Sequence, residues 1–185
     1  MNLKTLNISN DWTLFLDRDG VINERLVDEY VRTPEEFHFF DGTLEAIKVF
    51  SGIFGRIVIV TNQQGIGKGL MNEDELEVVH KSMLEEINKA GGRIDKIYHC
   101  AGLSHKKPFC RKPQIGMALN ARKDFPEINF KKSIIAGDSK TDLQFGRRLK
   151  MKTVLIGADN LIARENPNLV DYWFKSLFDL SLDLK

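Results

Sequence analysis

The chain has little of several things, and each shortage excludes something. It has two cysteines in 185 residues, Cys100 and Cys110, too few for the disulfide framework of a small secreted domain. It has almost no net charge, with 27 Lys and Arg against 26 Asp and Glu and a formal balance of +1. That balance supplies no broad basic face and argues against a general binder of polyanions, nucleic acid included. No apolar run is long enough to span a bilayer, and the N-terminus lacks the pattern of a secretory leader. No membrane partner and a cytoplasmic location are therefore expected. Internal repeats and low-complexity segments are also missing. What remains, 42% hydrophobic and 29% charged, is the composition of an ordinary soluble globular protein. It reads as one domain over residues 1–185, large enough for a proper core, and as a monomer.

Apolar stretches of strand length alternate with helical patterns. Leu14-Phe15-Leu16, Arg56 to Val60, the weaker Ile94 to Cys100, Ser133 to Ala136 and Thr153 to Ile156 read as strands, with a short one at Asp171 to Phe174. Helices are expected near residues 44–50, from Asn72 to Ala90 behind a capping box with Glu75, over residues 115–125, through Leu149, and at Leu177 to Leu184. Pro34-Glu35-Glu36 reads as a brief turn, Gln63 to Gly69 as a glycine-rich loop, and Met1 to Asp11 as a polar lead-in. This alternation implies an α/β fold, a doubly wound (Rossmann-like) parallel sheet covered on both faces.

Three strands end in polar groups able to converge. The first ends at Asp17-Arg18-Asp19-Gly20, the second at Thr61-Asn62, and the fourth at Asp138 with Asp142 four residues on. In open sheets of this kind ligands bind beyond the carboxyl ends of the strands. Three acids gathered there repel one another unless a cation joins them, and an oxygen-only set suits Mg²⁺. A hydroxyl, an amide and the paired cations Arg111-Lys112 are what a phosphoryl group's spread charge requires.

Asp17-Arg18-Asp19-Gly20, Thr61, Lys112 and Gly137-Asp138-Ser139-Lys140-Thr141-Asp142 resemble, in order, the four motifs of the haloacid dehalogenase superfamily. Phe15 to Asn23, Thr61-Asn62-Gln63-Gln64-Gly65-Ile66 and Cys110-Arg111-Lys112-Pro113 are similar to the D-glycero-D-manno-heptose 1,7-bisphosphate phosphatases, whose sister group is the histidinol-phosphate phosphatases. The resemblance runs from about residue 12 to 180 and implies a capless Mg²⁺-dependent phosphomonoesterase acting on a small phosphorylated metabolite, a sugar bisphosphate first. It implies Asp17 as nucleophile, Asp19 as acid and base, and Thr61 and Lys112 as phosphoryl-binding groups. Asp17, the Asp19 carbonyl and Asp138 would hold the metal; Asn62, Gln63 and Arg111 would meet substrate; Asp142 would brace its loop. Ser139 stands where a lysine usually follows the motif's first aspartate. Histidinol phosphate, a polynucleotide 3′-phosphate and a non-catalytic binding role on the same fold are the alternatives.

One departure is larger. The related enzymes carry a zinc loop with Cys-x-His and then Cys-x-Cys, and here the stretch reads His99-Cys100-Ala101 followed by Pro108-Phe109-Cys110. Structural zinc is expected to be absent and the cysteines to be ordinary small core or loop residues, with a rearranged set of His99, Cys100, His105 and Cys110 as the alternative. In that loop one of Lys106 or Lys107 is expected to reach the substrate's distal anion. His38 and His80 are expected on the surface or in helix packing, and Arg147, Arg148 and Lys150 as cations at a helix C-terminus.

Overall fold

The computed structural model describes residues 3–26 and 29–185. Six strands form one parallel sheet: β1 (Thr13–Leu16), β2 (Arg56–Asn62), β3 (Lys96–Cys100), β4 (Ser133–Gly137), β5 (Lys152–Ile156) and β6 (Tyr172–Phe174), in spatial order β3-β2-β1-β4-β5-β6. The helices are α1 (Thr43–Ile53), α2 (Gln64–Gly67), α3 (Glu73–Lys89), α4 (Gly116–Asp124), α5 (Lys140–Arg148), α6 (Leu161–Glu165) and α7 (Leu177–Leu184).

Alternation along the strands decides which face each side chain enters. Leu14, Leu16, Ile57, Ile59, Ile134 and Ala136 point to the layer built with α1, α3 and α7. Phe15, Val58, Val60 and Ile135 point to the layer with Met117, Ala118 and Ala121 of α4 and Phe145 of α5. The central strands are therefore buried on both faces, which is why they read as continuous apolar runs. The capping box expected at Asn72 is present: its side chain accepts from the Glu75 N–H, and the Glu75 carboxylate accepts from the Asn72 N–H.

Three expectations need correction. The lead-in is not merely polar: Leu3–Leu6 makes a 3-10 turn, Leu3 is fully buried, and its N–H donates to Asp183 on α7. The glycine-rich stretch holds a helical turn, α2. The two cysteines are not free small residues; Cys100 and Cys110 are joined in a disulfide with Cα atoms 5.5 Å apart. The bond ties the end of β3 to the residue preceding Arg111-Lys112, closing a short loop. Loop closure of this size is worth on the order of 2–3 kcal/mol, so reductant or Cys100→Ser should lower the melting temperature by several degrees. Two free thiols titrated in unreduced, denatured protein would contradict the bridge.

β1 lies between β2 and β4, so the order reverses across it, and the crevice at this switch point opens at the carboxyl ends of these strands. Asp17 and Asp19 follow β1, Thr61 and Asn62 close β2, and Asp138 follows β4.

Candidate active site

At the centre Lys112, buried, places its Nζ 2.8 Å from Asp17 Oδ1 and 2.6 Å from Asp142 Oδ1. These are ion-pair contacts whose directions fall outside those of aligned hydrogen bonds. Asn62 fixes the backbone that carries this lysine: its Oδ1 accepts from the Lys112 N–H at 3.0 Å and its Nδ2 donates to the Lys112 carbonyl at 3.3 Å. Asp142 is held in turn, its Oδ2 accepting from the Ser139 N–H at 3.0 Å and from the Ser139 hydroxyl. It thus braces its loop while its other oxygen faces Lys112.

Asp17, Asp138 and Asp142 each offer an oxygen within 4.8 Å of the others. Burial first, then the Asp142 charge, pushes the Asp17 carboxyl up to about 7, against the pull of Lys112. Burial pushes Asp138 up to about 6, with Arg25 opposing. Lys112 stays above its usual range because Asp142 and Asp17 outweigh its burial. One ammonium is thus shared between two buried acids with a third nearby, so the cluster carries more negative charge than its partners balance. An all-oxygen site with surplus negative charge fits a hard divalent cation, which would let both raised acids ionise.

Gly20 lets Asp138 come this close. Its φ is +90°, and a Cβ there would stand 2.1 Å from Asp138 Oδ2. Gly20→Ala should therefore displace Asp138 and weaken divalent-ion binding at least tenfold by calorimetry; unchanged affinity would refute the placement.

Asp19 is held differently. Arg18, with no exposure, donates Nη2 to both Asp19 oxygens at 2.9 and 3.0 Å, and Asn23 and Gln63 donate to it at 3.0 and 2.7 Å. Burial alone would raise this carboxyl, but the Arg18 charge and these hydrogen bonds outweigh it and leave it below the usual range. Arg18 Nη1 also lies 3.0 Å from His80 Nε2, which accepts from it. Burial, then the Arg18 charge, pushes the His80 imidazole down to about 3.

A neutral folded histidine opposes protonation, so its contribution to stability is complete above the ordinary His value near 6.5 and is lost as pH falls from there towards 3. Between pH 6.5 and 5 the wild-type melting temperature should fall more steeply than that of His80→Gln, by about 1 kcal/mol per pH unit in stability. Parallel profiles would show that His80 is not held neutral.

A cavity of about 400 Å³ opens over these groups. Asp17, Asp19, Thr61, Asn62, Gln63, Arg111 and Lys112 all line it, and Asp138 borders the neighbouring pocket. Gln63 is buried and its amide is engaged, donating to Asp19 and, at 2.9 Å, to the Thr61 hydroxyl. Like Asn62, it lines the cavity while its side chain is bonded to neighbouring protein groups. Lys106 and Lys107 lie outside the lining of this cavity. A 3-10 turn at Ser104–Lys106, with Lys107 at φ 47°, leaves residues 104–107 exposed; Lys106 is not among the lining residues, and Lys107 borders an adjoining pocket. The rim cations that do line the cavity with Arg111 are Arg25 and Lys68, the latter over the Tyr30 ring at 5.4 Å. His99 turns to Glu73 at 2.8 Å, and the two cysteines are bonded to each other.

Sequence reasoning missed Arg18, His80, Arg25, Lys68 and Tyr30. A signal existed for His80: it falls on the same helical face as Leu76, Val79, Met83 and Ile87, all buried.

A parallel sheet with a buried aspartate at its switch point, a second aspartate two residues on, and a buried lysine opposite is the arrangement of the haloacid dehalogenase class. The chain matches a family model described as polynucleotide kinase 3 phosphatase over residues 11–155. It is 32% identical over 94% of its length to a D-glycero-alpha-D-manno-heptose-1,7-bisphosphate 7-phosphatase of Mycobacterium bovis, covering 91% of that protein. It is 40% identical over 77% of its length to the Campylobacter jejuni protein of the same name, covering 80% of it. The crystal structure of D,D-heptose 1.7-bisphosphate phosphatase from B. bronchiseptica, complexed with magnesium and phosphate, superposes with a TM-score of 0.81 at 26% identity, over 94% of this chain and 97% of that one. The chain belongs to the heptose-bisphosphate phosphatase family of the haloacid dehalogenase superfamily.

Proposed function

We propose that this protein is a Mg²⁺-dependent phosphomonoesterase that removes the 7-phosphate of a D-glycero-D-manno-heptose 1,7-bisphosphate. The observation that carries the reading is the buried Lys112 ammonium held between Asp17 and Asp142 under the cavity floor. In it Asp17 is the nucleophile: its carboxylate oxygen bonds to phosphorus as the bond to the sugar oxygen breaks, and Asp19 gives that oxygen its proton. Asp19 then takes a proton from water, which attacks phosphorus and frees Asp17. The low-lying Asp19 carboxyl suits the second half, and the approach of a phosphate dianion raises it for the first. Thr61 and Lys112 hold the phosphoryl oxygens. Asp17, the Asp19 carbonyl and Asp138 hold Mg²⁺, which supplies positive charge for the phosphoryl group when bound.

At the cavity rim Arg111, Lys68 and Arg25 outnumber the acid Glu29, a balance that favours a second phosphate over the ammonium of histidinol phosphate. The Cys100–Cys110 bridge, rather than zinc, holds the loop before Arg111, so elemental analysis should find no stoichiometric zinc.

The test is phosphate release from both anomers of heptose 1,7-bisphosphate, histidinol phosphate, a sugar monophosphate and a 3′-phosphorylated oligonucleotide, with Mg²⁺ and with EDTA. The bisphosphate should give the highest kcat/KM and EDTA should abolish release. Preference for the oligonucleotide, the substrate class of the matching family model, would overturn the assignment.

A further inference from the structure

Arg25 stands apart from the other rim cations because it is bonded into the metal cluster. Its Nη2 donates to the Asp19 carbonyl at 3.1 Å and to Asp138 Oδ1 at 3.1 Å, and lies 3.0 Å from Asp138 Oδ2. A backbone carbonyl and a carboxylate beside two further buried acids are the donor set of a hard cation. A guanidinium spanning them takes the same lone pairs. Its side chain is 53% exposed, so it is held by those oxygens rather than by packing and can leave. It also lines both the main cavity and the pocket beside Asp138, so a displaced Arg25 has open space on either side.

We propose that Arg25 is a tethered counter-cation that competes with the divalent ion for the Asp19 carbonyl and Asp138, so that metal entry requires its release. The inference rests on the metal site assigned above. While Arg25 sits in place the protein is not competent to take the ion, and the apparent dissociation constant rises by the reciprocal of the open fraction. An exposed ion pair closes only modestly, so the expected penalty is about fivefold. The device offsets part of the cluster's surplus negative charge when no divalent ion is bound, and it sets the Mg²⁺ concentration at which the site fills.

The experiment is calorimetric titration of Mg²⁺ into the full-length protein, without substrate, for wild type, Arg25→Met and Lys68→Gln. Met keeps an unbranched, flexible stem and removes charge and donors, and equal melting temperatures would exclude a folding defect. Lys68→Gln removes a cation from the same cavity without touching the acids' hydrogen bonds, and so reports the general field. Arg25→Met should bind Mg²⁺ about fivefold tighter than wild type, with Lys68→Gln near wild type. Unchanged or weaker binding in Arg25→Met overturns the proposal, as does equal tightening in both variants. Failure of wild type and Arg25→Met alike to bind Mg²⁺ would instead sink the metal assignment, and this inference with it.

Discussion

Asp17→Asn should lower phosphate release by about 10³-fold or more while leaving the fold intact. The amide keeps the shape of the carboxylate and its acceptor for the Arg18 N–H, 2.8 Å away. It removes a charge that burial and Asp142 already disfavour, and Lys112 retains its contact to Asp142. Stability should therefore stay level or rise, which separates loss of the nucleophile from loss of structure. Phosphate release and thermal melting on the same preparation check both halves. Activity within tenfold of wild type would show that another group attacks phosphorus.

Lys112→Met should do the opposite to stability. The ammonium is buried and opposes two buried acids. Its removal leaves charges without a partner, a change that costs about 3–5 kcal/mol in comparable buried pairs. For a chain of this size the melting temperature should fall by roughly 10 °C. Phosphate release should fall by at least about 10²-fold, since a cation facing the transferring group is gone. A variant that melts with wild type would mean that Lys112 is not the charge balancing Asp17 and Asp142.

Much of this site was legible because its chemistry sits where strands stop. The β-branched and apolar runs mark β1, β2 and β4, and the first polar residues after them, Asp17, Thr61 and Asp138, fall at one sheet edge whatever the loops do. The groups that were not legible depend on contacts between distant segments. Arg18 lies between two aspartates in sequence, where a guanidinium normally faces solvent; its burial requires His80, 62 residues away on α3, to accept from it. The turn after β2 directs the Gln63 amide to Asp19, a contact the sequence does not mark. The Cys100–Cys110 pair depends on how the loop folds back beside β3, which spacing alone does not reveal. The placement of Lys106 and Lys107 was not legible for the same reason, since a run of cations states a charge and not a direction.

The central claim is that phosphate passes through Asp17. It is tested most directly by mixing enzyme, Mg²⁺ and heptose bisphosphate, quenching within the first turnovers, reducing with borohydride and mapping the peptides by mass spectrometry. An acyl-phosphate on Asp17 is reduced to homoserine, so the account predicts homoserine at position 17, absent without substrate and absent in Asp17→Asn. Turnover with residue 17 unmodified, or with the label on another side chain, would contradict it.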